Sequence, residues 1–440
     1  MQQPLARVSK GFSATALVLV VLTAAAARAG TEHILWTFTG RGDGAYPASN
    51  LVFDSAGNLY GAASAGGSVA CASSNAIGCG VVFELTPNSN GGWTQSVLYT
   101  FKGGSDGAGP GSLIFDGHGN LYGTTGAGGG TGCYLNVGCG TVFKLTHSAG
   151  GWRESVLYSF TGGSDGAYPG GVILDGSGSL YGAAATGGNV GSCGNGSTGC
   201  GVVFKLTPSA QGKWNETVLH TFGENTTDGI YPNSGLIIAN GNLYGTTQEG
   251  GDILFGAGTV FELIPSGSQW TETILFNFGT LGNLPIGGLI VDAHGRFFGA
   301  SNNGGVNGWG AVFELRQQGG LWKGVLIDNF GGLNFTGLNP VSSLTFDTQG
   351  SLYGVTEFGG SNGICVFGCG TVYELTPGAN DTWTQTVPYS FSGGADGGEP
   401  YAGVILDTAG NIYGTTTFGG TMNCFSDQGA GCGVVFEITP

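Results

Sequence analysis

The stretch GNLYGTT at residues 119–125 decides the fold, because the chain writes nearly the same phrase seven times. The copies are GNLYGAA (57–63), GNLYGTT (119–125), GSLYGAA (178–184), GNLYGTT (241–247), GRFFGAS (295–301), GSLYGVT (350–356) and GNIYGTT (410–416). Each copy has the same neighbours. In the second, SLIFD (112–116) precedes the phrase, and GTVFKLT (140–146) and WRESVLYSF (152–160) follow it. β-Branched and aromatic residues fill these runs and Gly, Asn, Asp and Pro separate them, so each reads as a short strand. No stretch sustains a helical apolar period. Aligned on the phenylalanine closing the fourth run (Phe38, Phe101, Phe160, Phe222, Phe278, Phe330, Phe391), the period is about 59 residues. Four antiparallel strands repeated radially make a propeller blade. Seven phrases predict an all-β, seven-bladed propeller over residues 30–440.

The phrase itself has a physical reading. Asp116 to Asn120 turns the chain between the first two strands, with Gly supplying a positive φ. The Tyr fills space between blades, and the Gly after it leaves room where a ring or backbone comes close. Pro388 lies in the VPYSF strand, which makes the W…VLYxF strand the outer edge and SLIFD the innermost. Trp93, Trp152, Trp214, Trp270, Trp322 and Trp383 open these outer strands and read as a packing column. The chain supplies a full set of first, second and third strands but only six outer strands after them. EHILWTF (32–38) is therefore expected to complete the last blade beside GVVFEIT (433–439).

Composition bounds the function classes. Glycine is 92 of 440 residues, charged residues are 9% and apolar residues 40%, which describes many tight turns around a real core. A net charge of −16 argues against nucleic acid or an anionic membrane as partner. Residues 1–29 read as a signal peptide: Arg7 and Lys10, then an apolar run from Ala16 to Ala27, then Ala27-Arg28-Ala29 as cleavage site. No membrane span is expected after cleavage. Ten cysteines fall as close pairs, Cys71/Cys79, Cys133/Cys139, Cys193/Cys200, Cys365/Cys369 and Cys424/Cys432, each between the LYG phrase and the next strand. Local disulfides in an oxidising compartment fit this spacing better than zinc, whose ligands would have to converge from different repeats. A secreted, periplasmic or extracellular monomer is expected.

The unit V-L-Y-x-F-x-G-G-x-D-G-x-x-P…D-x-x-G-N-L-Y-G-T-T…G-T-V-F-E-L-T-P resembles the GloVer tandem repeat of bacterial "choice-of-anchor" exported proteins. The resemblance covers essentially the whole mature chain. It implies export and tandem-repeat architecture, and it brings no activity and no catalytic residue with it. The sequence departs from that group in stopping at FEITP, which favours a soluble exported form over an anchored one.

Catalytic motifs are thin. His33, His118, His147, His220 and His294 form no column, and no Walker, HExxH or calcium-loop pattern occurs. The first-hairpin aspartates read as turn chemistry, the Glu/Lys column of the third strands as a solvated or cross-strand paired face, and Arg41-Gly42-Asp43 as part of the repeat. The connection G-x-D-G-x-x-P carries Asp43, Asp106, Asp165, Asp228 and Asp396, with Tyr46, Tyr168 and Tyr231 before the proline. Asp with Tyr around one rim suits carbohydrate or a divalent cation such as calcium; no other cofactor is indicated. The loops at 248–258 and 301–310 lack cysteines, and the connections at 279–285 and 331–340 lack the Asp. In that sector stand Trp309, outside the outer-strand tryptophan column, with Glu249, Glu357 and Phe358. An aromatic platform flanked by carboxylates is how a site stacks a sugar. The reading is a binding module for glycan or another exported protein. The alternatives are a lyase, hydrolase or lactonase working in the central mouth, and a passive structural component of the cell surface.

Overall fold

The computed structural model describes residues 30–440 except 69–70, 72–77, 134–136, 189–192, 194–198, 233–234, 252–255, 280, 332–335, 361–362, 421–423 and 425–430. The expected signal peptide, 1–29, lies outside the described residues. In the second blade the strands Ala108–Phe115, Leu121–Ala127, Thr141–Ser148 and Gly151–Ser159 pair antiparallel in that order, from innermost to outermost. Seven such blades form a β-propeller. The seventh takes Ile405–Leu406, Ile412–Thr416 and Val434–Thr439 from one end of the chain and its outer strand, Thr31–Thr37, from the other. Their register runs from Thr31 opposite Thr439 to Thr37 opposite Val434. The expected one-plus-three blade and the expected strand order are both present. No α-helix occurs among the described residues, and no helix there is long and apolar enough to cross a membrane.

The repeated phenylalanine sets the junctions. Each strand-closing ring packs against a third-strand ring of the following blade, with centroids 4.9–5.2 Å apart in the pairs Phe38–Phe83, Phe101–Phe143, Phe160–Phe204, Phe222–Phe261, Phe278–Phe313, Phe330–Tyr373 and Phe391–Phe436. The first of these pairs joins blade 7 to blade 1, so the ring is closed by the same contact that builds it.

The LYG phrase behaves as its sequence requires. Gly123 stands opposite Phe143 in the sheet, and a Cβ there would lie 2.7 Å from the Phe143 ring. Tyr60 packs edge-on against Phe115 and Trp152 of the next blade, at 4.9 and 6.3 Å, which places the tryptophan column in packing. The Tyr60 hydroxyl donates to Glu84 at 2.9 Å, and Lys144 sits over the Tyr122 ring at 5.0 Å, so the Glu/Lys column is paired across strands. Asp116 accepts the backbone N–H groups of His118 and Asn120, at 2.8 and 2.9 Å, and caps the first hairpin. Blade 4 has no such aspartate. It turns through Asn240 and Gly241, both at positive φ (53° and 86°), the two-residue turn those residue types favour.

Candidate functional site

The connections between blades and the long second-to-third loops share one face, where bridges join Ala45 to Ala65, Asn283 to Asn303, Gly398 to Phe418 and Ile230 to Glu249. The aspartates of the DG connection hold their own turns. Asp43 accepts from the Thr39 N–H at 2.9 Å, Asp106 from the Lys102 N–H at 2.7 Å, Asp165 from the Thr161 N–H at 2.8 Å, Asp228 from the Gly223 N–H at 2.7 Å and Asp396 from the Ser392 N–H at 2.8 Å. They stand one per junction around the ring and do not converge.

The residue before each connection proline is in the left-handed region: Tyr46 (55°), Gly109 (65°), Tyr168 (57°), Tyr231 (60°), Leu284 (52°), Asn339 (57°) and Glu399 (52°). For residues other than glycine this conformation costs about 1–2 kcal/mol. In return each N–H reaches a carbonyl of the preceding blade, that of Cys432, Cys79, Cys139, Cys200, Ala257, Trp309 and Cys369 respectively. Those acceptors are one column. It holds the second cysteine of each pair in five blades, alanine in blade 4 and tryptophan in blade 5. The five cysteine pairs are bonded as their spacing predicts, with Cα atoms 5.1–5.4 Å apart. The sulfurs of the first four lie over Gly103, Gly162, Gly223 and Gly393, and the Trp309 indole lies in the same way over Gly331. Trp309 thus replaces a cystine.

Around Trp309 the face becomes apolar. Its ring is 41% exposed and lies 6.4 Å from Phe367, which is 59% exposed and 6.3 Å from Phe358. Ile364 and Val366 (92% exposed) are exposed on the same blade 6 loop as Phe367, and Val306 is exposed on the loop that carries Trp309. Beside Phe358, Glu357 accepts from the Tyr401 hydroxyl. Glu399 lies close to both, and burial together with the Glu357 charge raises its carboxyl above the usual carboxylate range. The structure therefore brings together Trp309, Phe358 and Glu357. Glu249 is exposed on the second-to-third loop of blade 4, paired by backbone with Ile230 of the blade 3–4 connection, and belongs to a different part of the face. Tyr46 packs on Phe418 at 5.6 Å, at the blade 7–1 connection. Sequence reading missed Phe367, Tyr401 and Glu399. The aligned motif G-C-G, written G-W-G at Gly308 to Gly310, carried the signal for what Trp309 replaces.

Tyr401 also lines the axial channel, a space of about 450 Å³ walled by residues such as Asn50, Ser112, Gly171, Gly287 and Ser342. Among the described residues lining it there is no Asp, Glu, His, Lys, Arg or Cys. A line of side chains thus runs from the channel wall through Glu357 and Phe358 to Phe367 and Trp309.

The family model for the Gloeobacter/Verrucomicrobia repeat matches residues 20–195 and 137–363. The chain belongs to that repeat family. No curated protein matches it. Among solved structures it is similar to a gluconolactonase from Xanthomonas campestris, at 14% identity over 73% of this chain and 83% of that one, with a TM-score of 0.39. It is similar also to a luciferin-regenerating enzyme, at 13% identity over 93% and 95% of the two chains, with a TM-score of 0.42. A protein of unknown function from Dyadobacter fermentans matches at 10% identity over 92% and 98%, with a TM-score of 0.43. No activity is taken from these likenesses, and the repeat family supplies none.

Proposed function

We propose that this repeat-family chain is an exported binding module that holds an apolar segment of another exported protein on the patch formed by Trp309, Phe358, Ile364, Val366 and Phe367. The observation that carries this reading is the exposure of Trp309, Ile364, Val366 and Phe367 on two neighbouring loops, with the half-buried Phe358 at a strand end against Phe367. Such clusters on a water-facing surface mark interaction sites, and a rim of polar groups fixes the register of the partner. Glu357, Glu399 and Tyr401 supply that rim. Export rests on the signal segment and the five cystines, and the module works as a monomer.

A glycan is the second reading, favoured by Trp309, Phe358 and Glu357: a sugar ring stacks on the indole while the carboxylate accepts its hydroxyls. The enzymatic alternative finds less support, because general acid–base work needs a proton-transferring group in reach of the substrate, and among the described residues of the channel wall the one side chain of the Asp, Glu, His, Lys, Cys or Tyr type is Tyr401. The test presents the native chain, Trp309→Ala and the double variant Val366→Ser/Phe367→Ser to an array of apolar peptides from exported proteins and to a glycan array. Peptide binding lost in the double variant is expected. Peptide binding that survives it overturns the proposal, and glycan binding lost on Trp309→Ala with no peptide bound selects the sugar instead.

A further inference from the structure

We propose that His220, Asp228 and Glu272 form a zinc site at the junction of blades 3 and 4. Three other junctions show what these positions do without a metal. There the same places hold Tyr99, Asp106 and Glu154; Tyr158, Asp165 and Glu216; and Tyr389, Asp396 and Glu32. In each, the tyrosine hydroxyl donates to the aspartate, at 2.5, 3.1 and 3.2 Å. At the blade 3–4 junction histidine replaces the tyrosine, and the hydrogen bond is gone. The His220 Nε2 atom stands 3.5 Å from Glu272 Oε2 and 3.8 Å from Asp228 Oδ2.

These separations are too long for a strong hydrogen bond. They approach the roughly 3.3–3.6 Å between ligand atoms on a tetrahedral ion with bonds of about 2.0–2.2 Å. All three ligand atoms lie within 4.8 Å of one another. The site is also prepared. The Asp228 side chain is 1% exposed; its Oδ2 is held by the N–H groups of Gly223 and Glu224 at 2.7 and 3.2 Å, and its Oδ1 has no hydrogen-bond partner. His220 Nε2 and Glu272 Oε1 are likewise buried without one. Buried polar atoms left unpaired are destabilising, and an ion removes that cost.

Donor chemistry selects the metal class. One imidazole nitrogen with two carboxylates suits zinc or a similar first-row divalent ion, whereas calcium and magnesium take oxygen shells. Asp228 also lines a surface cavity of about 330 Å³ with Glu224, Asn225 and Thr226, which gives an entry path and room for a water as fourth ligand. The bound ion would tie the outer strand Trp214–Thr221 of blade 3 to the outer strand Gln269–Asn277 of blade 4.

The test titrates the chelator-treated full chain with ZnCl₂ by isothermal calorimetry and follows thermal melting. One zinc per chain is expected, with a raised Tm. His220→Tyr restores the residue of three other junctions and is expected to fold, to weaken zinc binding at least 100-fold and to lose the Tm shift. Glu272→Gln, which places there the residue found at Gln95 and Gln385, is expected to do the same and serves if the first variant does not fold. His294→Ala, removing an exposed histidine, is expected to change nothing. No zinc uptake by the native chain leaves the histidine as a cation paired with two carboxylates and overturns the proposal. Unchanged uptake in both ligand variants does so too.

Discussion

Glu154 faces Asp106 across the junction of blades 1 and 2, and burial followed by the Asp106 charge pushes its carboxyl up to about 7 against a partial opposing pull from Lys102. Glu216 beside Asp165 and Glu32 beside Asp396 are pushed up to about 7 in the same way. Unfolded, these groups ionise near 4.5. Between that value and 7 the folded chain holds more protons than the unfolded one, so stability falls as pH rises through this window and levels off above it. Glu154→Gln is expected to leave stability at pH 4 nearly unchanged. At pH 8 it should gain on the order of 1 kcal/mol, a figure already reduced for a half-exposed site. Urea denaturation of both chains at the two pH values checks this. An equal loss at both means the glutamate works as a packing residue rather than an acid.

Trp309 and Trp152 separate binding from stability. Trp309→Ala removes a partly exposed ring and is expected to cost under about 1 kcal/mol while weakening ligand binding at least tenfold. Trp152→Ala opens the contact with Tyr60 and should cost about 2 kcal/mol with binding kept. Melting curves and the peptide array, read on both variants, give the comparison. Equal destabilisation would mean that the Trp309 loop is part of the core.

Glycine in the LYG phrase is a packing requirement. Gly123→Ala puts a methyl 2.7 Å from Phe143 and 2.8 Å from Leu113, both buried, and is expected to cost about 2–3 kcal/mol. Gly117→Ala meets nothing within 4 Å and has no positive φ, so it should be neutral or slightly stabilising. Denaturant midpoints of the two variants decide it.

How much of this was legible depended on whether a pattern repeats along the chain. The strands, their order, the cysteine pairs and the Thr31–Thr37 closure all follow from a unit written seven times, because every blade has to meet its neighbour through the same rings. The junction acids were not legible. Asp106 and Glu154 come from different blades, and nothing local says that a glutamate in WRES faces an aspartate in GSDG. The aromatic cluster was half legible: Trp309 stands out as a departure from the repeat, and Phe358 stands beside Glu357 in the same sector. Phe367 is hidden in a loop of irregular sequence, and Tyr401 reaches Glu357 only because blades 6 and 7 lie side by side.

Closure of the ring predicts a defined failure. Removing residues 30–38 strips the outer strand of blade 7 and the buried Phe38, leaving blade 7 with three strands and the more buried, apolar Val434–Thr439 as its edge. The truncated chain is expected to melt lower and to elute as aggregates by light scattering. A monomer with unchanged melting would show that the strand is dispensable.

The cystines order loops more than they hold the ring. Each bridges residues only 4 to 8 apart, so the chain-entropy model assigns about 2–3 kcal/mol apiece at most. After reduction the far-UV spectrum is expected to persist, with proteolysis confined to the second-to-third loops. Non-reducing peptide mapping should recover the five within-loop pairs and no bridge between blades.

The pairing of Thr31–Thr37 with Val434–Thr439 also fixes a timetable. Of all the strands, the one nearest the start of the chain leaves the ribosome first, and its partner leaves last. Blades 1 to 6 can assemble in order as they emerge, but the early strand waits until the rest of the propeller has been made before its sheet exists. Until then the nascent chain exposes an unclosed arc, vulnerable to pairing with other chains. The final step, joining the first and last strands of the propeller, carries the largest loop-closure entropy among its strand pairings.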